Sequence, residues 1–293
     1  MSFSSDVKAE LVRITKMSPC CAAAQAYGML ENGHAFSPAR VSLLTESEAV
    51  ARLYCRMTAA VCGITPPAVT VQGGGFAVSA AAADCAAVLR RFGHGTGELA
   101  LRLNRANLEC DECLSAYLRG AFLACGTVAN PENGYHMEWS IPHYNLSRDI
   151  LALMGELGLG VRYICRKGTH LLYLKESERI EDCLTLMGAV NMSLSLMNVK
   201  LVKDIRNKAN RIANCENANI DKTVAASAIQ TRAVKKIAAS GGIDTLPEEL
   251  RELARLRLEN PELSLNELRE MLSEPLSRSG VNHRLRRIIK IAE

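Results

Sequence analysis

The sequence predicts an α+β domain made of two similar halves, followed by an all-α domain. Amphipathic helices alternate with short β-rich segments over the first two-thirds of the 293 residues. The same order of elements recurs at an offset near 92 residues, which relates Gly28 to Gly120. After Met197 only helical patterns remain. The length is sufficient for two domains of ordinary size.

Composition points to a globular protein of the reducing cytosol. Hydrophobic residues make up 48% and charged residues 23% of the chain, close to average soluble usage. No apolar segment after the start resembles a signal peptide, and no run approaches the length of a membrane span. The eleven cysteines are an odd number in a chain too large to need disulfides. We therefore expect a cytoplasmic protein with reduced thiols and no membrane partner.

The first half opens with helical sequence and continues through strand and helix patterns of ordinary length. Three glycines interrupt an alternating run and predict a hairpin. The predicted elements are a helix reaching about Leu30, a strand at Arg40–Thr45, a helix at Glu46–Cys62, a hairpin at Ala68–Ser79 and a helix at Ala80–Phe92.

The second half repeats this order and defines a duplicated αββα arrangement. Its elements are helices at Glu112–Cys125, Tyr144–Leu157 and Glu178–Met187, and strands at Tyr135–Ile141, Val161–Cys165 and Leu171–Leu174. We expect one domain at residues 1–197, with repeats at about 1–98 and 109–197. Two such halves can pair about a pseudo-two-fold axis.

Residues 198–219 form a predicted Asn-rich helical linker. The apolar residues Val202, Ile205, Ala209 and Ile212 share one face of this helix. A second face of this helix is polar and rich in asparagine. Because asparagine is a poor helix former, its repetition on one face indicates that these side chains make specific contacts. The side chains of this polar stripe either contact DNA or bond to the neighbouring domain. The residues in question are Lys203, Asn207, Asn210, Arg211, Asn214 and Asn217.

Residues 220–293 are predicted to form a helix-turn-helix domain. A helix at Thr223–Ser240 ends at two glycines, and a second follows at Glu248–Glu259. Ser264 and Glu267 have the spacing of a capping box, which opens a short helix to Leu272. The last helix begins at Ser277 after a turn. A capped helix, a tight turn and a longer basic helix are the proportions of a helix-turn-helix.

The last helix has an apolar face for docking and a basic face for a polyanion. Residues 200–293 carry 18 basic and 13 acidic residues, whereas residues 1–199 carry 17 and 18. This asymmetry favours a polyanionic partner, and for a helix-turn-helix that partner is double-stranded DNA. The apolar face comprises Val281, Leu285, Ile288 and Ala292. The expected DNA-binding residues are Arg278, Ser279, Asn282, His283, Arg286, Arg287 and Lys290.

Within that set, side-chain chemistry assigns different contacts. Asn282 suits adenine and Arg286 suits guanine in the major groove. Arg287 and Lys290 suit phosphates. The alternative is a basic helical hairpin that serves only packing.

Several short motifs resemble metal-binding, phosphate-binding or catalytic sites but lack residues that such sites need. Cys110 and Cys113 have metal-ligand spacing but lack a second CxxC or HxxxH pair, and Cys20 and Cys21 are expected to pack within a helix. Gly93–Gly97 follows a helix and lacks the ending of a phosphate loop. No histidine pairs with a nucleophile at a recognisable spacing. We therefore expect no metal, no cofactor and no catalytic residue.

Two segments resemble a degenerate LAGLIDADG motif, namely Tyr117–Thr127 and Ala24–Gly33. The resemblance implies two helices that pack through small residues, each ending near a metal-binding carboxylate. The acid position of the second motif holds Cys125. In the first motif it holds Gly33, or Asn32 or His34 after a shift of one residue. Glu31 is near, but it matches a non-catalytic earlier position, which Leu123 occupies in the second repeat.

The whole chain resembles the WhiA family. The resemblance rests on the opening Ser2–Leu11, the segment Arg206–Asn219 and the ending Ser277–Arg287. It implies a non-catalytic DNA-binding protein, either a transcription regulator or a nucleoid-associated factor. It also implies a role in sporulation in some lineages and in cell division and chromosome segregation in others. The C-terminal domain would resemble the promoter-reading domain of sigma factors.

Two other functions stay open on the sequence alone. One is an active metal-dependent endonuclease. The other is a scaffold in which the degenerate nuclease domain binds a protein or a small ligand.

Overall fold

A computed structural model describes residues 2–71 and 74–293. The chain divides into two compact units, the first ending at Lys203 and the second running over Asp204–Glu293. Among the described helices, none has both the length and the apolar character that a bilayer crossing requires.

Helix α1 (Phe3–Val12) precedes the first repeat. The repeat consists of α2 (Pro19–Glu31), β1 (Ala35–Ser37), β2 (Arg40–Thr45), α3 (Glu48–Cys62), β3 (Ala68–Thr70), β4 (Phe76–Ser79) and α4 (Ala82–Arg91). Its strands form an antiparallel sheet in the order β1-β2-β4-β3.

The second repeat has the same topology. It consists of α5 (Asp111–Cys125), β5 (Gly126–Val128), β6 (Met137–Ile141), α6 (Tyr144–Glu156), β7 (Arg162–Arg166), β8 (Thr169–Leu174) and α7 (Ser177–Met187). The antiparallel sheet follows the order β5-β6-β8-β7. The duplication is therefore confirmed, and each repeat is an αββαββα unit.

The repeats contain more than the sequence patterns predicted. Strands β1 and β5 were not predicted, because three residues are too few to show an alternating pattern. The opening helix is in fact two helices, and Pro19 begins the second behind the Ser18 cap. The predicted hairpin at 68–79 pairs Ala68 with Val78. Gln72 and Gly73 of its turn lie outside the described residues.

Helices α2 and α5 pack against each other at the centre of the first unit. A β-carbon on Gly28 would lie 2.2 Å from the carbonyl oxygen of Tyr117, and one on Gly120 would lie 2.1 Å from that of Gln25. The offset of 92 residues that relates the two glycines also relates Gln25 to Tyr117. Because the close contacts are reciprocal, the two repeats meet about a pseudo-two-fold axis, and only glycine fits at its two crossing points.

Helix α8 (Val190–Ser240) is a single helix of 51 residues. The sequence patterns predicted a helical linker at 198–219 and a separate helix at 223–240. No glycine or proline lies between them, so nothing in the chain interrupts the backbone hydrogen bonds. Residues 204–222 are exposed without exception.

The second unit has its own core. The end of α8 packs with α9 (Glu248–Glu259), α10 (Leu265–Glu270) and α11 (Arg278–Ala292). Arg257 is 1% exposed and donates to the carbonyls of Asn260, Pro261 and Leu263, which holds the turn that leads into α10. The capping box of Ser264 and Glu267 is present as predicted.

Candidate nucleic-acid interface

Helix α11 presents the two faces that the sequence predicted. Val281, Leu285, Ile288 and Ala292 are buried, which confirms the docking face. Ser277 caps the helix and accepts a hydrogen bond from the Gly280 amide at 3.1 Å. Of the expected DNA-binding residues, Asn282 is half-buried and the others are exposed, namely Arg278, Ser279, His283, Arg286, Arg287 and Lys290.

The first half of α11 borders a shallow concave surface. Gly280 contributes no side chain there, so the surface stays open. The other lining residues are Ser277, Ser279, Asn282, His283 and Arg286. Donors and acceptors suited to base edges thus converge at the helix N-terminus, where the helix dipole favours negative charge.

Two arginines of α11 are directed towards α9. The Arg284 guanidinium donates to the Glu249 carbonyl at 3.0 Å, and Arg287 forms an ion pair with the Glu249 carboxylate. The Arg287 side chain is 44% exposed, so this pair is a surface interaction of small net energy. A DNA phosphate can compete for Arg287 at little cost.

The elements before α11 differ from the predicted proportions. Helix α10 has six residues, and the connection from Met271 to Ser277 is longer than the predicted turn. Ser273 donates through its amide and its hydroxyl to the Glu252 carboxylate, both at 2.8 Å. The longer connection is therefore fixed to α9 by side-chain bonds that no local sequence pattern reveals.

The polar stripe of α8 is exposed along its length, except at its first member. Lys203 donates to the Pro131 carbonyl and lies 5.3 Å from the centre of the Tyr135 ring. The remaining members are solvent-facing, namely Asn207, Asn210, Arg211, Asn214 and Asn217. The apolar stripe is also open, since Ile205 is 69% exposed and Ile212 is 51% exposed.

The ends of α2 and α5 do not present a pair of carboxylates. Cys125 ends α5, and Gly33 follows α2, where a side chain would lie 2.6 Å from the Ser42 carbonyl. Asn32 is buried and donates to the Gly28 carbonyl and to the Tyr117 hydroxyl. These are the residues that the sequence placed at the acid positions, and none of them is an acid.

Glu31 is enclosed in a hydrogen-bonded aromatic cluster. It accepts hydrogen bonds from the hydroxyls of Tyr27 and Tyr117, both at 2.7 Å. The Tyr27 hydroxyl also lies 2.8 Å from Nε2 of His94, whose Nδ1 is 3.0 Å from Glu98. Burial raises the pKa of Glu31 to about 8. A neutral, fully engaged carboxyl is a poor ligand for a divalent cation.

Four cysteines of the first unit lie close together. The sequence offers no second CxxC or HxxxH pair for Cys110 and Cys113, but the fold brings the Sγ atoms of Cys20 and Cys21 beside theirs. All four sulfur atoms lie within 4.8 Å of one another. The pair was missed because its cysteines are adjacent and lie far upstream. The duplication offset was the one available signal, since it relates Cys21 to Cys113.

Comparison with known families finds two matching models. Residues 209–292 match the WhiA C-terminal HTH domain, and residues 114–206 match the WhiA LAGLIDADG-like domain. The first model covers α9, α10, α11 and most of the exposed part of α8. The second covers most of the second repeat.

Curated relatives extend the similarity over the whole chain. A probable cell division protein WhiA from Desulforudis audaxviator is 37% identical over 100% of this chain and 97% of its own length. One from Thermoanaerobacter pseudethanolicus is 35% identical over 100% and 98%. One from Clostridium botulinum is 46% identical over 64% of this chain, and that match spans only 59% of the relative's length.

Solved structures show the same fold. Full-length DUF199/WhiA from Thermatoga maritima aligns with a TM-score of 0.60 at 23% identity, over 100% of this chain and 98% of the other. The N-terminal LAGLIDADG domain of DUF199/WhiA aligns with a TM-score of 0.50 at 15% identity, over 64% of this chain and 90% of the other.

Proposed function

The chain belongs to the WhiA family, and from this premise we propose that it is a non-catalytic DNA-binding protein that acts in cell division. It works as a transcription regulator or as a nucleoid-associated factor on double-stranded DNA. Its relatives are named probable cell division proteins, and the matching C-terminal model is a helix-turn-helix.

The concave surface on α11 is the observation that carries this proposal. In a helix-turn-helix the N-terminal part of the second helix contacts base edges in the major groove. Asn282 and Arg286 line this surface and supply the side chains that pair with adenine and guanine. Lys290 and Arg287 lie further along the helix and would contact phosphates.

The exposed polar stripe of α8 extends the proposed interface. Residues 198–219 act as a helical linker whose asparagines, together with Arg211, contact the DNA backbone. Exposure of the stripe over residues 204–222 supports this role, because amide side chains and basic groups are suited to phosphate and sugar oxygens.

In the proposed function, the first unit does not cleave DNA. Metal-dependent nucleases of the LAGLIDADG kind need a carboxylate from each repeat, and the two acid positions hold Gly33, just after α2, and Cys125, at the end of α5. In cells the protein would be found with the nucleoid, and its role would extend to chromosome segregation and, in some lineages, to sporulation.

The test begins with genome-wide mapping of bound DNA, followed by a footprint of the strongest site. Arg286→Ala is expected to relax preference at one base position and to cost about 1–3 kcal/mol of binding free energy, the range for a lost bidentate base contact. Lys290→Ala should weaken all sequences alike and reduce the salt slope by about one ion. Salt titrations on specific and random duplexes measure both effects.

Arg255→Ala is the matched control, because Arg255 is an exposed arginine of α9 that pairs with Asp244 and does not belong to α11. It should leave affinity and selectivity unchanged. If Arg286→Ala behaved like this control, α11 would not be the reading helix.

A further inference from the structure

We propose that Cys20, Cys21, Cys110 and Cys113 bind one structural zinc ion that joins the two repeats. The four residues lie at the N-terminal ends of α2 and α5, in the first unit, whereas α11 belongs to the second. This proposal is independent of the DNA-binding role.

The sulfur atoms already have the spacing of a tetrahedral zinc site. Sγ of Cys110 lies 3.7 Å from that of Cys20, 3.6 Å from that of Cys21 and 3.4 Å from that of Cys113. The Sγ atoms of Cys21 and Cys113 are 3.9 Å apart. A tetrahedron with Zn–S bonds of about 2.3 Å has S–S edges of about 3.8 Å. A disulfide requires about 2.05 Å, far shorter than any of these distances.

The donor set selects the metal. Four thiolates form a soft site, which favours zinc over magnesium or calcium and leaves no position for a reacting water. All four ligands lie in the first turn or at the cap of a helix, since Cys110 caps α5 and Cys20 follows Pro19. The positive ends of two helix dipoles therefore stabilise the negative charge of a four-thiolate site.

Burial divides the four ligands into an inner and an outer pair. Cys113 is fully buried and Cys21 is 2% exposed, whereas Cys20 is half-buried and Cys110 is exposed. The inner pair is related by the duplication offset. The outer pair is not, because Glu112 and Ser18 occupy the corresponding positions. The ion would thus lie near the pseudo-two-fold axis and reach solvent on one side.

Two polar side chains lie next to the four cysteines. Ser18 Oγ lies 3.2 Å from Sγ of Cys20, and a Glu112 carboxylate oxygen lies 4.0 Å from Sγ of Cys21. Each thiol would release its proton to solvent on binding, so the site forms without any change of oxidation state. The consequence is a cross-link between helices whose ligands are about ninety residues apart in the chain.

Metal analysis of the full chain tests the proposal. Protein purified without a polyhistidine tag from zinc-supplemented cells should contain about one zinc ion per chain. Cys110→Ser should lose this zinc, and the fold should persist because serine is a preferred helix cap. Cys165→Ser, at an exposed cysteine on β7, is the matched control and should retain the zinc.

Two further measurements separate a site from a folding defect. Cobalt added to metal-free wild type should give thiolate-to-cobalt absorption in the near ultraviolet, which Cys110→Ser lacks. A chelator should lower the Tm of the wild type and of the control but leave that of Cys110→Ser unchanged. The proposal is wrong if the wild type holds no zinc, if both variants retain it equally, or if iron or a disulfide occupies the cluster.

Discussion

Glu31 illustrates how one residue can keep its place in a motif and serve packing instead of chemistry. Its carboxyl lies among Tyr27, Tyr117 and His94 in the core of the first unit. The Tyr27 hydroxyl lies within hydrogen-bond distance of both Glu31 and His94 and so links the two side chains. The sequence could identify Glu31 as a poor match to the catalytic position. It could not show the aromatic partners, because His94 lies about sixty residues further along the chain.

The raised pKa of Glu31 predicts a pH dependence of stability. Its folded pKa of about 8 exceeds the ordinary 4.5, so between these values the folded carboxyl holds a proton that the unfolded one has lost. Stability should therefore fall as pH rises from about 4.5 to about 8 and then level off. Glu31→Gln cannot titrate and should gain on the order of 3 kcal/mol relative to the wild type between pH 5 and pH 8.5.

Urea unfolding at several pH values measures this difference. Glu132→Gln removes an exposed carboxylate and provides the control, which should follow the wild type at every pH. Parallel curves for the wild type and Glu31→Gln would show that Glu31 is ionised in the folded protein.

At the scale of elements, the contact between α2 and α5 depends on glycine in both helices. A methyl group on Gly120 would lie 2.1 Å from the Gln25 carbonyl oxygen and 2.9 Å from the Met29 amide, both of them backbone atoms. Since neither can rotate away, Gly120→Ala should separate the helices and destabilise the first unit by about 3 kcal/mol.

The matched control is Gly155→Ala in α6, where an added methyl group meets no atom within 4 Å. Alanine there should be neutral or stabilise by up to about 1 kcal/mol. Chemical denaturation compares the two variants. Equal effects would mean that the helices have room to move apart.

Local sequence patterns predict features within one element but not contacts between elements. The docking face of α11 follows from a helical wheel, and the structure buries those residues. The capping box at Ser264 is equally local. Strand β5 and the partnership of Cys20 with Cys110 are not local, because pairing and three-dimensional proximity create them. Periodicity describes one element at a time and carries no information on which elements meet.

At the scale of the whole molecule, the two repeats pack as a duplication, and the acid positions of their LAGLIDADG-like segments hold Gly33 and Cys125. The full chain with magnesium or manganese should leave supercoiled plasmid intact over hours. The physical reason is that the ends of α2 and α5 offer no pair of carboxylates to hold a cation. Gel electrophoresis of the plasmid checks this result. Metal-dependent cleavage that Glu31→Ala abolishes would restore the endonuclease hypothesis.

The uninterrupted α8 has a consequence for conformational order within the chain. Residues 204–222 are all exposed, so over this stretch the helix depends on its own hydrogen bonds. Most helical stability in proteins comes from packing, which this stretch lacks, and its five asparagines lower its helix propensity further. Its amide hydrogens should exchange with solvent faster than those of the packed cores on either side. A ligand that binds this stretch must also order the helix, and the free energy of that ordering lowers its affinity. Binding and local folding are therefore coupled.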